Sequence, residues 1–396
     1  MTQETKRAGY FSEYLDLRMN FGALTAERKK QLERIALRRG RAVLVYAARM
    51  TSREGLPNHI VYDDLMPIQD QLMGLQGTAL DLILETPGGF GEVAEDFVKV
   101  IRKRFDSVAV IVPGYAKSAG TMIALSADEI LMGKLSALGP IDAQISYQGK
   151  SFSAHALLEG FAKIKTEADA SGKLNPAYYP MLLMMSPGEL QEAENVQRFS
   201  RALVKDWLEN NKFKNWTTHS STGKPVTPEE KRQRAEEIAE DLCDHSKWLT
   251  HARSIRMEDL LKLGVKITDY TADSLLAEAI DRYYTLMQMS FEIASIYKIF
   301  ETPKSQIYRL AAMQGIRQVP VMDLKGRSGK VDLDINCGQC GQQIKIQGDF
   351  GEVQELAQER IRFPKDNRIV CPKCGNEIDL SGIRREIEVQ TGHPII

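Results

Sequence analysis

Three apolar runs rich in β-branched side chains, RAVLVYAARM at 41–50, ALDLILET at 79–86 and SVAVIVPG at 107–114, are too continuous for strands with one wet face. Between them lie DDLMPIQDQLMGLQG and GEVAEDFVKVIRKRF, where apolar residues recur every three or four positions. Doubly buried strands alternating with amphipathic helices specify an α/β domain built on a mainly parallel sheet. A short buried helix, SAGTMIALSAD, and two short strands, EILMG and ALGPIDAQI, continue the pattern.

After residue 150 the chain is expected to turn mostly helical. Ser186-Pro187-Gly188-Glu189 and Thr227-Pro228-Glu229-Glu230 are capping boxes, each with proline at the first helical position. A further helix is expected from about 272 to 300. The expected order is an N-terminal arm and helix (1–40, with a loose arm to 25 and a helix over 26–39), a main domain (41–300), a linker (301–330) and a C-terminal module (331–396).

Hydrophobic residues make up 43% of the 396, enough for a sizeable core, and Lys plus Arg (52) balance Asp plus Glu (53). A net charge of -1 gives no global attraction to nucleic acid or to an anionic membrane. No apolar run is long enough for a spanning helix, and the N-terminus does not read as a secretory signal, so the expected location is the cytoplasm.

Three loops after strands carry candidate chemistry. Glu85-Thr86-Pro87-Gly88-Gly89 lets backbone N–H groups approach a ligand. Gly114-Tyr115-Ala116-Lys117-Ser118-Ala119-Gly120 places a serine where a helix begins, the positive end that favours an oxyanion. Leu138-Gly139-Pro140-Ile141-Asp142 is a rigid turn. Sites in such sheets gather at the carboxyl ends of strands.

This ordered set resembles the Clp-protease/crotonase-like superfamily. Within it the chain looks most like the serine dehydrogenase proteinase family, relatives of signal peptide peptidase A. The similarity is strong over about 41–145, continues weakly through 184–210 and 247–268, and does not cover the cysteines. The resemblance implies a spiral of strand-strand-helix units, self-assembly into homo-oligomers, and a peptide or protein substrate. It also implies Ser118 as nucleophile, the N–H groups of Gly89 and Ala119 as oxyanion hole, and a substrate loop containing Gly88 and Asp142.

A serine hydroxyl needs a base. Clp-type peptidases carry a histidine where this chain reads Leu138 to Gln144, without one. Signal peptide peptidase A relatives use a lysine in a Gly-Lys stretch before a Met-Ser/Thr-Pro helix start. Ser171-Gly172-Lys173 ahead of Met185-Ser186-Pro187 is similar, which makes Lys173 the first candidate base. Its pKa would have to fall from about 10.4 to roughly 7–8 in a dry pocket. Lys163, Lys165 and Lys117 rank below it. His251, in Lys247-Trp248-Leu249-Thr250-His251 ahead of Leu263-Gly264-Val265, resembles a Trp-Thr-His segment of the family. It is the other serious candidate, as base or as the group orienting one.

Cys337, Cys340, Cys371 and Cys374 form two Cys-x-x-Cys pairs, each after a short strand and before a turn. That is the layout of a zinc ribbon, a closed four-thiolate structural site with no open position for catalysis. Such ribbons dock protein or nucleic acid; the mixed charges of FGEVQELAQERIRFPKDN favour neither.

The expected function is therefore an intracellular serine peptidase. The rivals are a catalytically degenerate scaffold that recruits partners through the ribbon, acyl-thioester chemistry on the same fold, and a nucleic-acid-binding protein.

Overall fold

The computed structural model describes residues 9–51, 56–147, 150–219, 221–311, 329–337, 339–391 and 393–396. The chain divides into two units, one of Leu32–Asp281 with Lys298–Ile307, the other of Met1–Gln31, Arg282–Tyr297 and Tyr308–Ile396.

The first unit is a mixed α/β body. Its main sheet runs in the order β11 (Gln306–Leu310), β10 (Ile296–Glu301), β1, β2, β3, β5 and β9. The core strands are β1 (Ala42–Ala48), β2 (Ala79–Glu85), β3 (Ser107–Val112) and β5 (Glu129–Met132), parallel throughout and followed at one edge by β9 (Thr268–Asp269). They are the apolar runs expected to be strands, and nearly every residue in them is buried. Helices α3 (Leu65–Met73), α4 (Gly91–Arg102) and α5 (Ala119–Leu125) follow β1, β2 and β3 in turn. Val93, Ala94, Phe97, Val98 and Ile101 of α4 face the core, as their spacing requires.

Each core strand is followed by a short second pairing step. Ile60 bridges Gly89, Thr86 bridges Ala116, β4 (Tyr115–Ala116) pairs in parallel with β6 (Ala137–Leu138), and Leu138 bridges Ile255. These steps bring the loops after successive strands side by side.

The remaining elements of this unit are mostly helical. A strand pair, β7 (Gln144–Tyr147) with β8 (Lys150–Ser153), leads into α6 (Ala154–Ser171), α7 (Tyr179–Leu183), α8 (Pro187–Trp207), α9 (Pro228–Cys243), α10 (His245–Trp248) and α11 (Met257–Lys262). Both expected capping boxes form, Ser186 with Glu189 and Thr227 with Glu230.

Three segments differ from expectation. The arm before residue 26 contains helix α1 (Tyr10–Asp16), and α2 runs over Phe21–Arg39. The helix expected to reach 300 is α12 (Ser274–Ile293); Ile296–Glu301 is instead β10, antiparallel to β1. Its Ile, Tyr and Phe side chains prefer the pleated surface that β1 offers. Within the expected linker, Gln306–Leu310 is β11, while 312–328 lie outside the described residues.

The second unit holds the C-terminal module. Strands β12 (Lys330–Asn336) and β13 (Gln343–Asp349) are antiparallel, β14 (Ile361–Arg362) pairs with β13, and β15 (Arg368–Val370) pairs with β16 (Glu377–Asp379). Helix α13 (Ser381–Thr391) packs Ile383 and Ile387 into a small core with Ile335, Ile344, Ile346, Phe363 and Leu380. No helix among the described residues is long and apolar enough to cross a membrane.

A buried ion pair anchors the first loop of the main unit. Lys298 Nζ of β10 donates to Asp64 Oδ2 at 2.7 Å, both side chains 1% exposed, and to His59 O at 2.6 Å. Tyr46 OH and Val61 N also donate to Asp64. Removing one partner strands the other charge in an apolar core. Lys298→Ala should therefore cost about 3–5 kcal/mol of unfolding free energy in urea titrations.

Candidate functional site

Ser118 sits between β4 and α5 with φ 49 and ψ -117, a backbone conformation that L residues avoid. Holding it costs on the order of 1–3 kcal/mol, supplied by the surrounding packing. A sharp strand-to-helix turn of this kind lifts a serine hydroxyl out of the sheet. The neighbours that fix it are hydrogen-bonded: Lys117 N donates to Thr86 O, Thr86 N to Tyr115 O, and Thr121 Oγ1 to Ala116 O.

The Gly88–Gly89 loop lies directly against this turn. At Gly88 (φ 109) a Cβ would stand 2.7 Å from Ser118 Cβ. At Gly89 (φ 153) it would stand 2.3 Å from Ile60 N. Side chains are excluded at both, so the glycines are required by contact as well as by dihedral. Ile60 N donates to Gly88 O and Phe90 N to Ile60 O, which leaves Gly89 N–H outside the ladder. Among the described residues neither Gly89 N–H nor Ala119 N–H has an intramolecular acceptor.

Asp142 follows β6 and is buried to 1%. His251 Nδ1 lies 2.7 Å from its Oδ1, and His245 Nδ1 lies 2.9 Å from its Oδ2. Gln144 Nε2 adds a hydrogen bond. Burial pushes the Asp142 carboxyl up, but hydrogen bonds from His251, with its charge, and from His245 and Ser153 outweigh it and hold the group below the ordinary carboxylate range. Two local features place the histidines. Asp244 caps α10, which starts at His245, and Leu249 ends that helix in the left-handed region (φ 65), turning the chain back toward Asp142. Ile141 N donates to Leu242 O, tying the Asp142 loop to the end of α9.

The expected residues thus fall into two groups. Gly88, Gly89, Ser118 and Ala119 are brought together, and Asp142 is brought to His251. Among the described residues Ser118 Oγ has no hydrogen-bond partner. Lys173 is exposed beyond the left-handed Gly172 cap of α6, and among the described residues only its carbonyl is engaged, by Ser171 Oγ. Lys163 pairs with Glu159 on the exposed face of α6, and Lys165 is exposed on the same helix. Lys117 Nζ is hydrogen-bonded to Leu138 O, Arg253 O and Ser254 Oγ.

His245 was not a candidate by sequence. No motif marks it, since its partner Asp142 is 103 residues away in the chain. A groove of about 520 Å³ between α6, α8 and α9 is lined by His155, Arg198, Arg201, Cys243 and Asp244, so it borders the helix that carries His245. Burial pushes the Cys243 thiol up to about 12, which disfavours its thiolate form.

The four paired cysteines converge in the second unit. Cys337 Sγ lies 3.6 Å from Cys374 Sγ and Cys340 Sγ 3.6 Å from Cys371 Sγ, and all four fall within 4.8 Å of one another. A tetrahedral metal with bonds of about 2.3 Å needs sulfurs about 3.8 Å apart, so the set fits one ion. Both turns have the same form: Gly341 N donates to Cys337 O and Gly375 N to Cys371 O. The N–H groups of Gln339 and Cys340 pull the Cys337 thiol down, whereas Cys374, despite the N–H of Asn376, is pushed up by burial and by the other three sulfurs.

The chain is similar to two uncharacterized proteins of Methanocaldococcus jannaschii (strain ATCC 43067). One, MJ1495, is 39% identical over 82 residues, 21% of this chain and 27% of the relative. The other, MJ0137, is 46% identical over 66 residues, 17% of this chain and 23% of the relative. The matched stretch thus spans about a quarter of each relative's length. Among solved structures it is similar to a serine-to-alanine mutant of the 1510-N membrane-bound stomatin-specific protease, at 23% identity and a TM-score of 0.22, covering 36% of this chain and 80% of that one. The profile of the ClpP-like SDH-type serine proteinases matches residues 13–227, a span that holds Gly88, Gly89, Ser118, Ala119, Asp142 and Lys173 but ends before His245, His251 and the cysteines. With more than half of its length matched, the chain belongs to the ClpP-like SDH-type serine proteinase family.

Proposed function

We propose that the chain is an endopeptidase acting on peptide or protein substrates, with Ser118 as nucleophile, His251 as general base and Asp142 as the carboxylate that orients it. The observation that carries this reading is the 2.7 Å hydrogen bond from His251 to the buried, ionised Asp142. That bond fixes the tautomer: Nδ1–H donates to Asp142, and the Nε2 lone pair is left to accept a proton. Ser118 Oγ attacks the substrate carbonyl carbon as its proton passes to Nε2. The tetrahedral oxyanion is held by the N–H groups of Gly89 and Ala119, and Asp142 stabilises the imidazolium. The proton then goes to the leaving amine, and water repeats the sequence on the acyl-enzyme. The serine–histidine contact tightens when substrate is bound, as catalytic hydrogen bonds commonly do.

The same reading takes the alternation of long strand, short pairing step and helix as the spiral of strand-strand-helix units. It also includes homo-oligomers. Support comes from Tyr179, Met181, Leu183 and Met184 around α7, an exposed apolar ridge that one chain leaves uncovered. The metal is read as a structural zinc, since four thiolates close a tetrahedral site.

A second reading, a scaffold with a degenerate site, is favoured by one observation, the lack of a hydrogen-bond partner for Ser118 Oγ among the described residues. A fluorophosphonate probe read by intact mass separates the two. The peptidase reading expects one adduct, none in Ser118→Ala, labelling slowed roughly 100-fold or more in His251→Ala, and little change in Lys173→Ala. An unlabelled wild-type chain gives the scaffold reading the lead.

Two further outcomes are expected. Elemental analysis should find one zinc per chain, lost in Cys371→Ser together with a lower melting temperature for the module. Light scattering should give a mass above that of one chain, which Leu183→Glu lowers without unfolding the monomer.

A further inference from the structure

A lysine ammonium has three N–H donors. In Lys117 the acceptors are Leu138 O at 2.9 Å, Arg253 O at 2.9 Å and Ser254 Oγ at 3.0 Å. None of these acceptors is a carboxylate. Burial, with the charge of Arg256 beside it, pulls the group down to about 8. A half-buried charge without a counter-ion costs stability, and an apolar side chain would fill the space more cheaply. What an apolar side chain lacks is the three-point geometry.

That geometry joins particular segments. Backbone pairing connects Ala116 to Leu138 and Leu138 to Ile255. The first pairing is parallel and the second antiparallel. One step beyond the rung therefore leads to Lys117 and Ser118 on one segment, toward Asp142 on the next, and back toward Ser254 and His251 on the third. The Lys117 side chain crosses there. It passes over Gly139, where a Cβ would stand 2.8 Å from Lys117 Cδ.

We propose that Lys117 is a positioning residue, a three-way clamp that sets the spacing of the nucleophile, carboxylate and histidine segments of the site. The proposal rests on the assignment of Ser118, Asp142 and His251 given above. The charged and titratable side chains on the segments around the ammonium are Tyr115, Asp142, His251, Arg253 and Arg256. The full clamp exists while Lys117 is protonated and loses a donor as pH rises through about 8.

The test measures the rate of fluorophosphonate labelling against pH in the full chain, with thermal melts as a folding control. Lys117→Met should label roughly 100-fold more slowly at pH 7, the scale of an ångström-sized misplacement, with its melting temperature little changed. Its profile should also lack the alkaline fall near pH 8 expected of the wild type. Gly139→Ala keeps the lysine but puts a methyl in its path; it should slow labelling in the same way, and it decides the matter if Lys117→Met does not fold. Labelling within about twofold of wild type in the folded variants overturns the clamp and leaves the triad standing. A uniformly slowed Lys117→Met that keeps the alkaline fall overturns it too. A wild-type chain that labels no better than Ser118→Ala overturns the triad instead.

Discussion

The pairing step that follows each core strand is the constraint on which the site depends. A parallel sheet alone delivers its strand ends to one edge, but it leaves the loops beyond them free in direction. Here Ile60 to Gly89, Thr86 to Ala116, Ala116 to Leu138 and Leu138 to Ile255 bind each loop to the next by backbone hydrogen bonds. Gly88, Ser118, Asp142 and His251 each lie within a few residues of such a rung. Main-chain geometry fixes the order and coarse placement of these segments, and side-chain contacts between them set the final distances.

Strain and burial at the site follow from that rigidity. Ser118 keeps its unfavourable dihedrals because α5, buried along its whole length, and the Gly88 loop leave it no other path. Asp142 is ionised though buried because two imidazoles share its two oxygens. Each ring meets the carboxylate through Nδ1, so neither Nε2 is engaged by Asp142. His251 is the one whose neighbours, Arg253 and Ser254, are tied to the residue before Ser118. His245 completes the carboxylate and restrains its rotation. In a low-dielectric setting a carboxylate satisfied on both oxygens is a firmer orienting group than one satisfied on a single oxygen.

Much of the fold was legible because its determinants are local. The core strands read as apolar runs, the helices as three- and four-residue spacing, and the two capping boxes as Ser186-to-Glu189 and Thr227-to-Glu230. The cysteine cluster read from two Cys-x-x-Cys pairs, where the spacing within each pair is the geometry itself. Strand β10 did not read: KIFE after Ser295-Ile296-Tyr297 fits a helix as well as a strand, and only the free edge of β1 decides. The histidine partnership with Asp142 was invisible for a related reason, as 109 residues separate Asp142 from His251. Motif likeness offered two bases, Lys173, in a stretch the single chain exposes, and His251, which lies against Asp142. Local sequence reports conformation well, and it reports long-range contact only where chemistry forces a spacing.

The same distinction separates the two units. In the C-terminal module Cys337 and Cys371 are themselves core residues, packed with Ile335, Ile344, Phe363 and Leu380. A domain this small buries too little apolar surface to be secure without a cross-link. A metal held by the four thiolates would supply one, and it would leave no coordination position at which a substrate oxygen or water could bind. The strained serine, the unengaged N–H groups and the ionised buried carboxylate all lie in the sheet-centred unit, which has apolar core to spare for them. Catalysis needs groups held away from their comfortable states, and only a unit stabilised by its own large core can hold them there.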